Sequence, residues 1–322
     1  MSKSRCILLI QLGTPDSLEP SGIKNYLREF LMDPGTISIP YLLRYVLVNW
    51  IIVPKRTEKV IERYRLIWDE KKGSPLAYHS HDLTKKLQDL TDSKTEVRLG
   101  MLNGSPKIET ILEQIEQEGF KEVVLLPLFP HETSATTEVV YRRVNHYIKK
   151  QKPDIQFEWI KPFFLDPEFI DVFSKRLNKF DLESFDQILF SFHGLPMKQI
   201  KYKEKISGVS NYIEACELTA TLMAEKSGVG KEKYAISYQS RFGRNWTSPQ
   251  TEDVLDELAS HGKSVLIVSP SFTADCLETS WEIGIQFKEK YQALGGGKFE
   301  WLRGLNSDDD WVNTIFGWID NK

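Results

Sequence analysis

The sequence predicts an α/β protein made of two similar Rossmann-like halves, each a parallel sheet flanked by helices, with a cleft between them. Three observations carry this. Short apolar runs of β type alternate with stretches of helical period, the pattern of βαβ units. The halves echo each other: residues 6–15 resemble 188–196, and the run from Lys121, with its proline-rich exit and Thr137-Glu138, resembles the run from Lys263 with Glu278-Thr279. No repeat of 20–50 residues occurs, which excludes a solenoid and favours a two-domain clamp. A chain of 322 residues that is 41% hydrophobic can bury two cores of this size. The expected halves are 1–160 and 161–322, joined near 159–167, with the final helix packing back on the first half.

Taken in order, Cys6 to Ile10 reads as the first strand, since that apolar run is too short for a secretory signal and lacks a cleavage-type ending. Residues 41–53, bracketed by Pro40 and Pro54, form a longer apolar stretch that still falls short of the ~20 residues a membrane span needs. Two readings stand for it: a buried helix, or an apolar lip that touches lipid or holds a hydrophobic ligand. Tyr41, Tyr45 and Trp50, with Arg44, Lys55 and Arg56 nearby, suit the second. Residues 121–130 read as a strand running into a loop. Residues 137–148 place Val140, Val144, Tyr147 and Ile148 at helical spacing. Gly295 to Gly297 reads as a flexible helix exit, and no glycine-rich nucleotide motif occurs anywhere.

Composition removes several function classes. A net charge of −3 lacks the basic excess of a nucleic-acid binder, so nucleic acid is not expected as a partner. Cys6, Cys216 and Cys276 are widely spaced with no C-x-x-C pair, which argues against a disulfide framework, a zinc ribbon or a cysteine-bound iron–sulfur cluster. A reducing cytoplasm fits.

The chemistry concentrates at two apolar runs, 188–196 and 265–279, that end in Gly or Pro, where ligands of open α/β sheets bind. The first delivers His193 and the second Asp275 and Glu278, with Glu282 one turn on. A strand-end histidine is as often structural as catalytic, yet one with an ordinary pKa of ~6.5 in an apolar cleft can accept a proton. Asp275 and Glu278 also match a capping-box-like pattern at a helix entry. Glu282 argues for more: on an α-helix all three acids share one face, where like charges repel, and no basic residue follows before Lys288. An acidic face of this kind suits a passing divalent cation.

With these segments in hand, the chain resembles the ferrochelatase family, enzymes that insert ferrous iron into a porphyrin to make heme. The likeness covers nearly the whole length. It rests on residues 12–15, 25–33 and 73–75, then 126–130 with Thr136-Thr137, 191–196, 238–243 with Trp246 and 249–251, and finally 275–279, all in the family's order. The resemblance implies a chelatase-type fold. It implies His193 and Glu278 as catalytic residues, with His193, Glu278, Asp275 and Glu282 as the groups that meet the metal. Leu12, Tyr41, Met101, Ser191 and Trp246 would face the porphyrin, and residues 40–54 would form the apolar lip, with peripheral membrane contact through it. Ferrous iron is then a substrate, protoporphyrin IX its partner, and no tightly bound cofactor or iron–sulfur cluster is expected.

Departures narrow the reading. Residues 101–106 lack the Arg-Tyr pair common in the family, and His131-Glu132 stands where Gln-Tyr is usual; the latter reads as a surface change. Leu12 stands where coproporphyrin-using members carry Tyr, which favours protoporphyrin IX. Three readings remain open: an iron chelatase for protoporphyrin or coproporphyrin III, a cobalt or nickel chelatase, and a non-catalytic porphyrin or heme carrier.

Overall fold

Arg5–Gly13 (β1) is apolar at nearly every position and almost entirely buried, as a strand covered on both faces must be. In the computed structural model, which describes residues 4–320, it pairs in parallel with Thr95–Asn103 (β2) and Glu122–Pro127 (β3), and β3 pairs in parallel with Gln156–Trp159 (β4). The sheet order is β2-β1-β3-β4. The helix Thr137–Gln151 buries Val140, Val144 and Tyr147 against Leu8, Ile10, Val123 and Leu125, on the face its spacing predicts. Each such aliphatic side chain contributes roughly 1.5–3 kcal/mol by leaving water.

The second half repeats this plan. Its strands are Gln187–His193 (β5), Lys201–Ile206 (β6), Val209–Asn211 (β7), Tyr234–Gln239 (β8), Val265–Val268 (β9) and Phe299–Trp301 (β10). β6 and β7 form an antiparallel hairpin, and the other four form a parallel sheet ordered β10-β9-β5-β8. In both sheets the first strand therefore lies between the second and the third. Strand order reverses there, and the carboxyl ends of the first and third strands are where open α/β sheets bind their ligands. In the second sheet those ends are His193 and Val268.

The chain divides after Lys161, and residues from Ser307 onward belong with the first unit, leaving Pro162–Asn306 as the second. The terminal helix Asp309–Asp320 buries Trp311, Val312, Ile315 and Ile319. Lys86 donates to the Ser307 carbonyl at 2.8 Å, and Arg5 donates to the Ile319 carbonyl at 2.8 Å. The second half is thus shorter at its end than residues 161–322.

The segment between Pro40 and Pro54 is helical but not buried. Tyr41–Val46 is α-helical, Leu47–Ile52 widens into a π-helix, and Val53–Arg65 continues as α-helix. Tyr41, Leu42, Leu43 and Trp50 are each more than 60% exposed, so the lip reading survives and the buried-helix reading does not. Arg44 departs from the expected basic rim: it is buried, and its guanidinium donates to the carbonyls of Ile37 and Ile39 at 3.0 Å. No helix among the described residues is long and apolar enough to cross a membrane.

His131 corrects another expectation. It is buried rather than a surface change, and burial pushes its imidazole down to about 3, so it is neutral.

Candidate active site

His193 is the last residue of β5, where the alternation of the strand turns its side chain to the sheet's carboxyl edge. Its backbone is held on two sides: the Tyr212 hydroxyl donates to its carbonyl at 2.8 Å, and its own N–H donates to Ser271 Oγ at 3.4 Å. The ring lies 6.0 Å from that of Phe272. Nδ1 sits 2.7 Å from the Gly194 carbonyl oxygen. A carbonyl only accepts, so Nδ1 carries the hydrogen and Nε2 presents a lone pair in the neutral ring. Burial holds the pKa below the ordinary histidine value, outweighing the charge of Glu278, which pulls it up. The group is a neutral, oriented base that feels the charge of Glu278.

Glu278 and Glu282 stand on Leu277–Phe287, which is a π-helix rather than the α-helix expected. Its wider turn keeps residues four apart in line. One such row, Thr279, Ile283 and Phe287, is buried, and Ile283 and Phe287 join Leu189, Val265 and Ile267 in the core. The neighbouring row carries Glu278 and Glu282. Gly284 allows the helix to approach Trp301, since a Cβ there would lie 2.8 Å from that indole.

Glu282 is held by the end of β8. Ser240, a non-glycine residue at φ 63°, donates its N–H to Glu282 Oε1 at 3.1 Å and its hydroxyl to Oε2. Burial raises the Glu282 carboxyl to about 7, the Ser240 hydrogen bonds oppose the rise, and the charge of Glu278 adds to it. Near neutral pH this side chain is poised between its two protonation states. Gln239 completes the fastening by donating to the Glu278 carbonyl at 3.0 Å.

The capping pattern falls one residue later than the sequence suggests. Cys276 is the N-cap, and its N–H is accepted by Thr279 Oγ1 at 2.9 Å, so Glu278 has no capping duty. The Cys276 thiol is pushed well up by burial, by the charge of Glu278 and by its hydrogen bond to Glu278, so it remains a thiol.

Asp275 does not join the carboxylate row. Its side chain is fully buried, Oδ1 accepts from Gly304 N–H at 2.9 Å and Thr279 Oγ1 at 3.1 Å, and Oδ2 accepts from Asn306 Nδ2 at 3.0 Å beside Arg303 Nε at 3.2 Å. Every lone-pair direction is spent on protein donors, and Arg303 supplies the positive charge that the local sequence lacks. Among the described residues no three His, Cys, Asp or Glu side chains converge closely enough to hold a metal ion. Asp275 therefore stands apart from the other three expected residues: His193 and Glu282 are each coupled electrostatically to Glu278, and Asp275 is held at the entry of the helix that carries both glutamates.

The five residues expected at the porphyrin sort similarly. Trp246 lies at the same rim, with its residue bridging Pro196 just past His193. Ser191 is buried behind it, donating to Gln239 Oε1 at 2.7 Å, so it braces Gln239 rather than facing a ligand. In the first unit, Tyr41 is exposed and Leu12 half-buried, whereas Met101 is fully buried within β2. It packs in the core rather than at the surface, where it would reach a ligand only by repacking. Next to it, Asn103 donates to the Leu12 carbonyl at 3.0 Å. Gln239 and Ser240 were legible as part of a family motif but gave no sign of their role, and Arg303 and Asn306 gave none at all.

The sequence model for ferrochelatase matches residues 4–322. This chain belongs to the ferrochelatase family. It is 35% identical over 333 residues to the ferrochelatase of Legionella pneumophila strain Corby, covering 99% of both chains. It is also 35% identical over 321 residues to that of Actinobacillus pleuropneumoniae serotype 5b strain L20, covering 98% of both. Among solved structures, a SirB from Bacillus subtilis with Fe3+ superposes with a TM-score of 0.56 at 11% identity, covering 99% of this chain and 95% of that one. This likeness shows that the ferrochelatase-family chain shares the two-domain chelatase fold.

Proposed function

We propose that this chain inserts ferrous iron into protoporphyrin IX to form heme, with iron as substrate and no resident cofactor or cluster. The observation that carries the reading is the neutral His193, its Nδ1 committed to the Gly194 carbonyl and its ring under the charge of Glu278. A free porphyrin is planar, and two pyrrole N–H groups block its centre. Metal enters only when the ring is bent to expose nitrogen lone pairs and both protons leave; one Fe2+ in and two H+ out conserves charge. His193 Nε2 takes a pyrrole proton. Glu278 opposes the imidazolium that forms, and Glu282, poised near neutrality, takes up or releases the second proton along the helix. Apolar walls that grip the bent ring better than the flat one spend burial on strain of a few kcal/mol.

The test is anaerobic incubation of the protein with protoporphyrin IX and ferrous iron, watching the metalloporphyrin spectrum appear. Saturable ring binding without turnover sinks the enzymatic reading in favour of a carrier. Turnover with cobalt or nickel but not iron reassigns the metal, and a preference for coproporphyrin III reassigns the ring, where Leu12 supports protoporphyrin. His193→Ala is expected to abolish about 10²–10⁴-fold of the rate while the ring still binds. The exposed apolar turn at Tyr41, Leu42, Leu43 and Trp50 supports peripheral membrane contact from the cytoplasmic side, checked by vesicle co-sedimentation of wild type against Trp50→Ser.

A further inference from the structure

Beyond the groups that face the substrate, the segment 302–306 is bound tightly to the entry of the carboxylate-bearing helix. Gly304 approaches the backbone of Ala274 and Asp275 so closely that a Cβ would lie 2.9 Å from Asp275 N. Asn306 adopts the left-handed region at φ 54°, and its N–H donates to the Thr273 carbonyl at 2.8 Å. Its side chain then pairs with Asp275 twice: Oδ1 accepts the Asp275 N–H at 2.8 Å, and Nδ2 donates to Oδ2 at 3.0 Å. Only a primary amide offers an acceptor and a donor side by side in this way. Asp275 Oδ1 accepts from Thr279 Oγ1, which in turn accepts the Cys276 N–H, so the pairing continues into the turn that carries Glu278.

We propose that Asn306 is a positioning residue, which fixes Asp275 and through it the first turn of the helix Leu277–Phe287, setting where Glu278 stands opposite His193. The proposal deepens the chelatase reading and rests on it for its kinetic consequence. Groups that orient a reacting shell without touching the substrate cost about 10–100-fold in activity when removed. An apolar or acidic residue at 306 cannot replace both halves of the pair.

The experiment uses the full chain with Asn306→Gly, which keeps the left-handed backbone and deletes the side chain, and Asn306→Asp, which keeps the acceptor and loses the donor. Amide hydrogen exchange and steady-state iron insertion are measured on each. The expected result is faster exchange at residues 275–282 with β5 and the helix Thr251–Ser260 unchanged, together with a ~10–100-fold fall in kcat at constant KM for porphyrin. Unaltered exchange at 275–282 in both variants overturns the proposal whatever the rates do. Faster exchange spread over the whole second unit also overturns it, since the side chain then supports folding rather than position. Wild-type protein that forms no metalloporphyrin overturns the chelatase reading instead, and the exchange data still decide the positioning.

Discussion

Glu282→Gln isolates the raised carboxyl of the site. The carboxyl is raised from 4.5 to about 7, chiefly by burial. The native state therefore holds this proton more tightly than the unfolded chain does. The stability it contributes is complete below about 4.5 and is lost as pH climbs through about 7, reaching a plateau beyond. A rise of that size, at about 1.36 kcal/mol per pH unit, amounts to on the order of 3 kcal/mol. Glutamine mimics the protonated acid and does not titrate. The difference in unfolding free energy between wild type and variant should swing by about 3 kcal/mol in favour of the variant from pH 4.5 to pH 7.5, because titrations remote from Glu282 cancel between them. Urea unfolding at several pH values reads the swing, and carbon-13 NMR of labelled glutamate side chains reads the titration directly. A midpoint in the ordinary carboxylate range, or a difference flat with pH, refutes the assignment of Glu282 as a proton store.

The same carboxylate is tuned by its partner: Ser240→Gly, which suits the left-handed backbone, deletes one charge-assisted donor and should raise the Glu282 midpoint by about one pH unit in the same NMR titration. Asp275→Ala should cost about 3 kcal/mol in urea unfolding by leaving Gly304 N–H and the Asn306 amide unpaired, while Glu278→Ala costs little stability and most of the rate; equal losses in the two would argue that Asp275 is no anchor. Gly284→Ala forces a methyl against Trp301 and should cost about 1–3 kcal/mol, seen as a lowered midpoint of urea unfolding. With the Glu282 titration removed by Glu282→Gln, the remaining rate of iron insertion should hold on the acid side to below the usual histidine value, since burial lowers His193; a fall beginning well above pH 6.5 in that variant would contradict a neutral base there.

The strands at β1, β3, β5 and β9 were legible because fully covered parallel strands advertise themselves as short apolar runs, and His193 was legible because it ends one of them. The helix at 137–151 was legible from its period. The π-helix was not. Its spacing of four along Glu278–Glu282 is shared with an α-helix, so periodicity does not separate the two. Asp275 differs for another reason: its compensating charge, Arg303, lies far along the chain, so the local sequence shows the acidic face without a counter-charge. Ser191 and Met101 belong to motifs of the family, but motif membership does not say on which side of a sheet a side chain lies. Residues from Ser307 group with the first unit, the side on which the sequence places the final helix, and what the sequence leaves out is that the second unit ends before that helix begins.

The bond from His193 Nδ1 to the Gly194 carbonyl has one more result. A carbonyl can hold a hydrogen bond but cannot carry a proton away, so the imidazole is a dead end on that side rather than a two-ended wire. Whatever Nε2 picks up must depart from Nε2. On the proposed role of His193, loading and unloading of the ring therefore take turns at a single doorway, and each cycle waits for that doorway to clear.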